Sequence, residues 1–417
     1  MNIVIINKSD IIGGAAVVSY RLTNALCDAG ADAKMLVMEQ SGDDHAVVSS
    51  FGNSKLGKYY FIKERLKIFF ANGFSRKNLF KVSIANSGFD ISKHPLVQNA
   101  DIIVLNWINQ GALSIRGIEK LVELDKPIVW TMHDMWECTG ICHHAYDCNG
   151  YKTDCGACGY LKSKDHRDLS YYVLQQKVYL YRNSNIKFVA VSNWLAERCR
   201  ESSLLERGDI RVIHNAFPIE KYDYRRISNG SLQLATDKTV IIMGAARLDD
   251  PIKGFEYMID AMNYIAKHSP SFASKIHLVL FGNIRNVKLL DEIKIPYTYV
   301  GNVKSESEVA ALYAQSDIVV STSLYETLSG TLIEGEAAGC VPVTFGNGGQ
   351  RDIITHLDTG YIAQYKSAKS IAEGIEWASQ AHIDRERLHN EVLNKFSATK
   401  IAQQYIALFD ELLNSKA

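Results

Sequence analysis

Short unbroken runs rich in Val and Ile recur along this chain, each separated from the next by a longer segment of helical period. A strand covered on both faces needs no polar alternation, and two parallel strands need a crossover that returns the chain to the same end of the sheet. The pattern therefore predicts an α/β fold with doubly wound parallel sheets. It occurs in two series. The first comprises Asn2 to Ile6, Lys34 to Met38, Asp101 to Leu105, Pro127 to Thr131, Lys187 to Val191 and Ile210 to Ile213. The second comprises Thr239 to Gly244, Ile276 to Phe281, Tyr297 to Val300, Asp317 to Ser321 and Val341 to Thr344. Between them Asn215 to Asp237 carries Pro218, Asn229, Gly230 and Ser231 among charges and reads as an interdomain connection. The expected domains are 1–218 and 219–396, followed by an amphipathic helix within 397–417.

With 417 residues, 47% hydrophobic and 22% charged, the chain can bury two sizeable cores, which excludes a disordered or disulfide-stapled protein. Its 46 basic and 46 acidic residues cancel, so nucleic acid is not expected as a partner. The start, Met1-Asn2-Ile3-Val4-Ile5-Ile6-Asn7-Lys8, lacks the layout of a secretion signal, and no run of about 18 apolar residues occurs. A cytoplasmic location with reduced thiols is the expectation.

One segment breaks the charge balance. Residues 55–81 carry eight basic residues against one acid, Glu64, interleaved with Tyr59, Tyr60, Phe61, Phe69, Phe70, Phe74 and Phe80. Three readings stand: an interfacial segment on anionic lipid at the inner face of the plasma membrane, a solvated helix with its aromatics in the core, or, least favoured, a nucleic-acid surface.

Four places hold candidate chemistry. Gly13-Gly14 follows the first strand and opens a helix, either as a tight turn or as an anion site of backbone amides. It lacks the three-glycine dinucleotide pattern, which counts against a nicotinamide enzyme. His133-Asp134 follows the strand Pro127 to Thr131, where ligands of parallel sheets bind; His133 either meets a substrate, with Asp134 fixing its tautomer, or is satisfied by backbone. Cys142, Cys148, Cys155 and Cys158, spaced C-x5-C-x6-C-x2-C within a Cys-rich insert at 138–160, read as a structural zinc site, as free or redox-active thiols, or as an iron–sulfur ligand set. Finally, Glu326 precedes a helix from about Gly330 to Gly339, whose first amides, those of Gly330 and Thr331, face the same end as Glu326, with Glu334 one turn further in. Two carboxylates flanking an amide cradle suit a ligand with hydroxyls at both ends and phosphates between, the layout of a nucleotide sugar.

Gly13-Gly14, His133-Asp134-Met135-Trp136 with the following cysteines, Val191-Ser192-Asn193-Trp194, His214-Asn215, Arg247 with Lys253-Gly254, the Glu326/Glu334 pair, and Gly348-Gly349 with Asp352 occur in that order along the chain. In this the sequence resembles the family 4 glycosyltransferases of GT-B type, in the branch found in bacterial capsule and exopolysaccharide biosynthesis. The resemblance implies two Rossmann-like domains facing a central cleft, with the last helix crossing back to the first domain. It implies that Arg247 and Lys253 hold the donor diphosphate, Glu334 the ribose, and Glu326 the transferred sugar, while His133 and Gly13-Gly14 approach from the other domain. Retention of anomeric configuration, a UDP- or GDP-sugar donor, a saccharide or lipid-linked saccharide acceptor and no catalytic cofactor are further implications. Any zinc would then be structural. Thr327, Leu328 and Ser329 replace a glycine-rich stretch of many members, so the amide cradle is expected to differ in shape. Competing expectations are a nucleotide-sugar 2-epimerase or hydrolase on the same fold, and a non-catalytic membrane-docked scaffold.

Overall fold

The structure is a computed structural model; it describes residues 1–206, 208–227, 234, 237–303 and 305–415. Two compact units are present, one of residues Met1–Ala216 with Ala398–Ala417, the other of Phe217–Ser397. The chain thus leaves the first unit two residues before Pro218 and returns to it for its last helix. Of the connecting segment read from the sequence, Asn229, Gly230 and Ser231 lie outside the described residues.

The first unit holds seven parallel strands: β1 (Asn2–Ser9), β2 (Asp32–Glu39), β3 (Val48–Ser50), β4 (Ile102–Leu105), β5 (Ile128–Met132), β6 (Lys187–Ala190) and β7 (Ile210–Val212), in the order β3-β2-β1-β4-β5-β6-β7. The second holds six, β8 (Thr239–Arg247), β9 (Ile276–Asn283), β10 (Tyr297–Gly301), β11 (Ile318–Ser321), β12 (Val341–Phe345) and β13 (Tyr361–Ala363), in the order β10-β9-β8-β11-β12-β13. Both are doubly wound Rossmann-like sheets. Central runs such as Ile3 to Ile6 and Ile102 to Leu105 are fully buried, as strands covered by helices on both faces must be. The two strands absent from the sequence expectation, β3 and β13, are three-residue edges. Their sequences, Val-Ser-Ser and Tyr-Ile-Ala, are too short and too exposed to give a buried run.

Winding direction fixes where each unit can bind a ligand. In the first sheet the chain runs outward from β1 through β2 to β3, then restarts on the other side of β1 with β4. In the second it does the same around β8, restarting at β11. The loops leaving such neighbouring strands part to opposite faces and open a crevice at the carboxyl ends. Those loops are 10–13 and 106–114 in the first unit, and 248–254 and 322–329 in the second.

Two helices complete the first unit's frame. Gly14–Asp28 buries Leu22, Ala25 and Leu26, and Ala398–Asn414 buries Ile401, Tyr405, Leu408, Phe409 and Leu412 in the same apolar cluster, beside Ile3 and Val104. Each large side chain so buried contributes roughly 1.5–3 kcal/mol before chain entropy is charged against it. Tyr405 also meets the hydroxyl of Thr131 on β5 at 2.9 Å. The last seventeen-residue helix is therefore core to the first unit.

Candidate functional site

In the second unit β8 ends on Arg247 and a short turn leads to Lys253. Asp250 starts that turn by accepting from the amide of Ile252, and Gly254 ends it in the left-handed region, φ 60°. A Cβ there would stand 2.3 Å from the carbonyl oxygen of Thr322, so glycine is required for β8's loop to lie against β11's. This close approach brings Lys253 Nζ within 2.8 Å of Glu326 Oε2. Glu326 raises the Lys253 pKa above its ordinary value, more than burial lowers it, so the amine stays charged. The backbone of Glu326 is itself fixed: its carbonyl accepts from Gly349 at 3.0 Å, and Gly348 packs so tightly on it that a Cβ would come within 2.2 Å.

Arg247 is engaged as well. Its Nη2 lies 2.5 Å from Asp250 Oδ2, and its Nε 3.7 Å from Asp249. Asp249 accepts the amides of Arg285 and Asn286 on Oδ2, while its Oδ1 and Arg247 Nε are buried without a hydrogen bond. Sequence reasoning singled out the two cations and missed these acids, although Asp249 and Asp250 stand directly between them in the chain.

The helix Gly330–Ala337 starts at this same end. Ser329 occupies its N-cap position but makes no side-chain cap, its hydroxyl facing Thr331 Oγ1 at 3.2 Å. The first-turn amides, including those of Gly330 and Thr331, are therefore not closed by the usual serine device. Glu334 sits one turn in and half-buried. Lys253 and Glu326 are thus in contact, Arg247 stands at the start of the same loop as Lys253, and the helix carrying Gly330, Thr331 and Glu334 follows Glu326 four residues on.

The first unit's crevice has different chemistry. Gly13, at φ 95°, lets the chain leave β1's loop and enter the helix; a Cβ at Gly13 or Gly14 would touch nothing. Lys8 Nζ reaches Gln110 Oε1 at 3.3 Å and lies 5.9 Å from the Trp107 ring. Burial lowers the Lys8 pKa, partly countered by Glu39. His133, at the end of β5, places Nε2 2.7 Å from Asn106 Oδ1. An amide oxygen can only accept, so the neutral ring carries its proton on Nε2. Burial pushes the ring down to about 4, against the pull of Asp134, and keeps it neutral at pH 7.

Asp134 does not have the role expected of it. Its carboxylate takes the indole N–H of Trp107 at 2.9 Å, the amide of Trp136 at 2.7 Å and His143 Nδ1 at 2.8 Å. Burial opposes its charge, but His143 and these donors overcome it and hold the carboxyl down to about 2. Asp134 thus orients Trp107, and Asn106 orients His133. The sequence signal for both was the strand-end rule itself, since Asn106-Trp107 directly follows β4.

Among the described residues no three His, Cys, Asp or Glu side chains stand close enough to share an ion. Cys155 accepts from the amide of Gly140 and Cys148 from that of Gly150, while Cys142 lies buried beside Val82. Burial raises the thiols of Cys142 and Cys158, and that of Cys155 to about 11, so all three are protonated at neutral pH. The four thiols are nonetheless electrostatic neighbours: burial is the main cause of the raised Cys142, Cys155 and Cys158 thiols, and other members of the set add to it.

The Glycosyltransferase Family 4 model matches residues 12–221, and the Glycosyl transferases group 1 model matches residues 225–394. The chain belongs to glycosyltransferase family 4. It is similar to the N-acetyl-alpha-D-glucosaminyl L-malate synthase of Bacillus anthracis, 25% identical over 40% of this chain and 42% of that protein. It is also similar to the capsular polysaccharide biosynthesis glycosyltransferase CapM of Staphylococcus aureus, 24% identical over 61% of this chain and 69% of that one. The match thus spans less than half of the first of these relatives. Among solved structures, Anabaena HepE in complex with UDP superposes over 99% of this chain and all of its own, with TM-score 0.63 and 16% identity. The fold is of GT-B type.

Proposed function

We propose that the protein is a retaining glycosyltransferase of hexosyl type, moving a sugar from a UDP- or GDP-sugar to a lipid-linked saccharide in cell-surface polysaccharide synthesis. One observation carries this reading: Lys253 and Glu326 are brought to 2.8 Å at the second unit's switch point, beside Arg247 and a helix start that its own serine leaves uncapped. Family membership supports it, as do the capsular role in the name of CapM and the structures of HepE with UDP and with UDP-glucose.

In this reading Arg247 and Lys253 take the diphosphate, assisted by the amides of Gly330 and Thr331. Arg247 exchanges Asp250 for a phosphate oxygen, and Glu334 accepts from the ribose hydroxyls. Glu326, already tied to Lys253, accepts from a hydroxyl of the sugar and sets it relative to the diphosphate. In the same reading neutral His133 hydrogen-bonds a sugar hydroxyl and the Gly13-Gly14 turn offers its amides to phosphate. The acceptor oxygen attacks the anomeric carbon on the face that the phosphate leaves. The bond from that carbon to the phosphate oxygen breaks as the new glycosidic bond forms, and the departing phosphate oxygen takes the acceptor's proton. Fixed charges then stabilise negative charge as it develops on the nucleotide, and no protein nucleophile or divalent ion takes part.

The test is turnover of a panel of UDP- and GDP-sugars with and without polyprenyl-linked saccharides, followed by product stereochemistry. Transfer that requires the acceptor and retains configuration is expected. Equal donor loss without acceptor would mean an epimerase or hydrolase, and no turnover of any donor would favour the scaffold.

A further inference from the structure

The basic, aromatic segment singled out in the sequence folds as the helix Ser54–Ala71 followed by a turn to Lys81. Its inner face is fixed to the first unit. Glu64, fully buried, accepts from Ser83 Oγ at 2.6 Å and from the amides of Ile84 and Ala85 at 2.7 and 3.0 Å. It also pairs with Arg65 at 2.9 Å, and Arg65 donates to the carbonyls of Val82 and Leu79. Gly57 and Ile68 complete that inner face.

The outer face is also apolar. Leu56, Tyr59, Ile62, Leu66 and Phe70 recur at helical spacing and are 39 to 56% exposed. Past the helix, Gly73 and Phe74 both adopt positive φ, 58° and 61°, and Phe74 stands 69% exposed, edge-on to Phe69 and Phe70. A bulky side chain in the left-handed region is uncommon, and here it extends the outer row instead of filling a core. Apolar residues on two opposite faces cannot both serve the core of one unit. The inner set does so, and the outer set needs another partner.

Charge identifies that partner. The one acid of residues 55–81 is the buried Glu64, neutralised by Arg65. The other basic residues, Lys55, Lys58, Lys63, Lys67, Arg76, Lys77 and Lys81, are all exposed. Lys55 and Lys63 lie within the apolar row, and Lys58 and Lys67 flank it. A second copy of this chain would set like charges against each other, whereas a bilayer bearing anionic headgroups accepts apolar side chains between its lipids and ammonium groups at its surface.

We propose that the outer face of the Ser54–Ala71 helix docks this protein on anionic lipid bilayers. The same helix backs onto the first unit's crevice. A Cβ at Gly111 would lie 2.8 Å from the amide of Phe61, and Lys8 Nζ stands 5.7 Å from the Phe61 ring. Docking therefore brings the Lys8–Trp107 strand ends close to the lipid surface, where a lipid-linked acceptor is presented. The docking inference stands independently of the transfer reading, and its failure would leave that reading intact.

The test is co-sedimentation of the full chain with extruded vesicles of phosphatidylglycerol and phosphatidylcholine, or of phosphatidylcholine alone. Wild type is expected on the anionic vesicles and not on the neutral ones, with binding falling as salt rises. Leu66→Ser with Phe70→Ser, and separately Lys63→Gln with Lys67→Gln, are each expected to lower the partition constant at least tenfold. Because these side chains are exposed, unchanged circular dichroism and melting are expected for both pairs. Absence of wild-type binding, equal binding to neutral vesicles, or binding unchanged in both pairs would overturn the proposal. So would a dimer that the apolar pair dissociates without any vesicle association, since the face would then belong to a second copy.

Discussion

The two units share a winding scheme and differ in what stands at its switch point. At β8 and β11 the strand ends present guanidinium, ammonium and carboxylates: Arg247 against Asp250, and Lys253 against Glu326. At β1, β4 and β5 they present an indole, an amide and an imidazole kept neutral by burial, with one half-buried lysine. The same topology thus yields one crevice whose charges can be exchanged for those of a phosphate, and one suited to stacking on and hydrogen-bonding neutral hydroxyls. The difference lies in the few residues after each strand, which the sheet itself does not constrain. That is why one winding scheme can carry two different chemistries.

The largest effect is expected at the charged crevice, where two neighbours act with opposite sign. Lys253→Ala removes a cation from the diphosphate and frees Glu326 to repel it; turnover should fall at least about 100-fold, roughly 2.7 kcal/mol. Asp250→Asn removes the acid competing for Arg247, and UDP or GDP affinity by calorimetry should rise a few-fold. A loss of affinity in Asp250→Asn would show that Asp250 positions Arg247 instead of competing for it.

A smaller effect separates the neutral crevice. With His133 pushed down to about 4 from an ordinary 6.5, the KM for the sugar donor should stay flat from pH 8 to about pH 5, with no break near 6.5. Because folding favours the neutral ring, the associated stability is fully present above pH 6.5 and is lost as pH falls through the folded value near 4. Urea unfolding across that window should show the loss in wild type and a flatter curve in His133→Gln. A break in KM near 6.5 would mean that the ring titrates normally and that the two crevices differ less than described.

The doubly wound sheets were legible because buried parallel strands leave unalternated apolar runs, as at Ile3 to Ile6 and Ile241 to Met243. Edge strands β3 and β13 were not, since three residues with solvent on one side carry no such signal. At the site, Arg247, Lys253, Glu326 and Glu334 were nameable from residue type and spacing. Their couplings were not: the Lys253–Glu326 contact depends on Gly254 lying against Thr322, 68 residues away in the chain. Asn106 and Trp107 were missed because neither stands out in composition; only the order β1-β4-β5 makes them neighbours of Lys8 and His133.

The most direct measurement of the central claim is calorimetric titration of wild type and Glu334→Ala with UDP and GDP. Glu334 is half-buried, one turn into the helix that starts at the charged crevice. Saturable binding of one nucleotide by wild type, weakened at least tenfold (about 1.4 kcal/mol) in Glu334→Ala, is the expected result. Absence of binding to either nucleotide by folded wild type, or binding untouched by the substitution, would contradict the assignment of the second unit's switch point as the donor site.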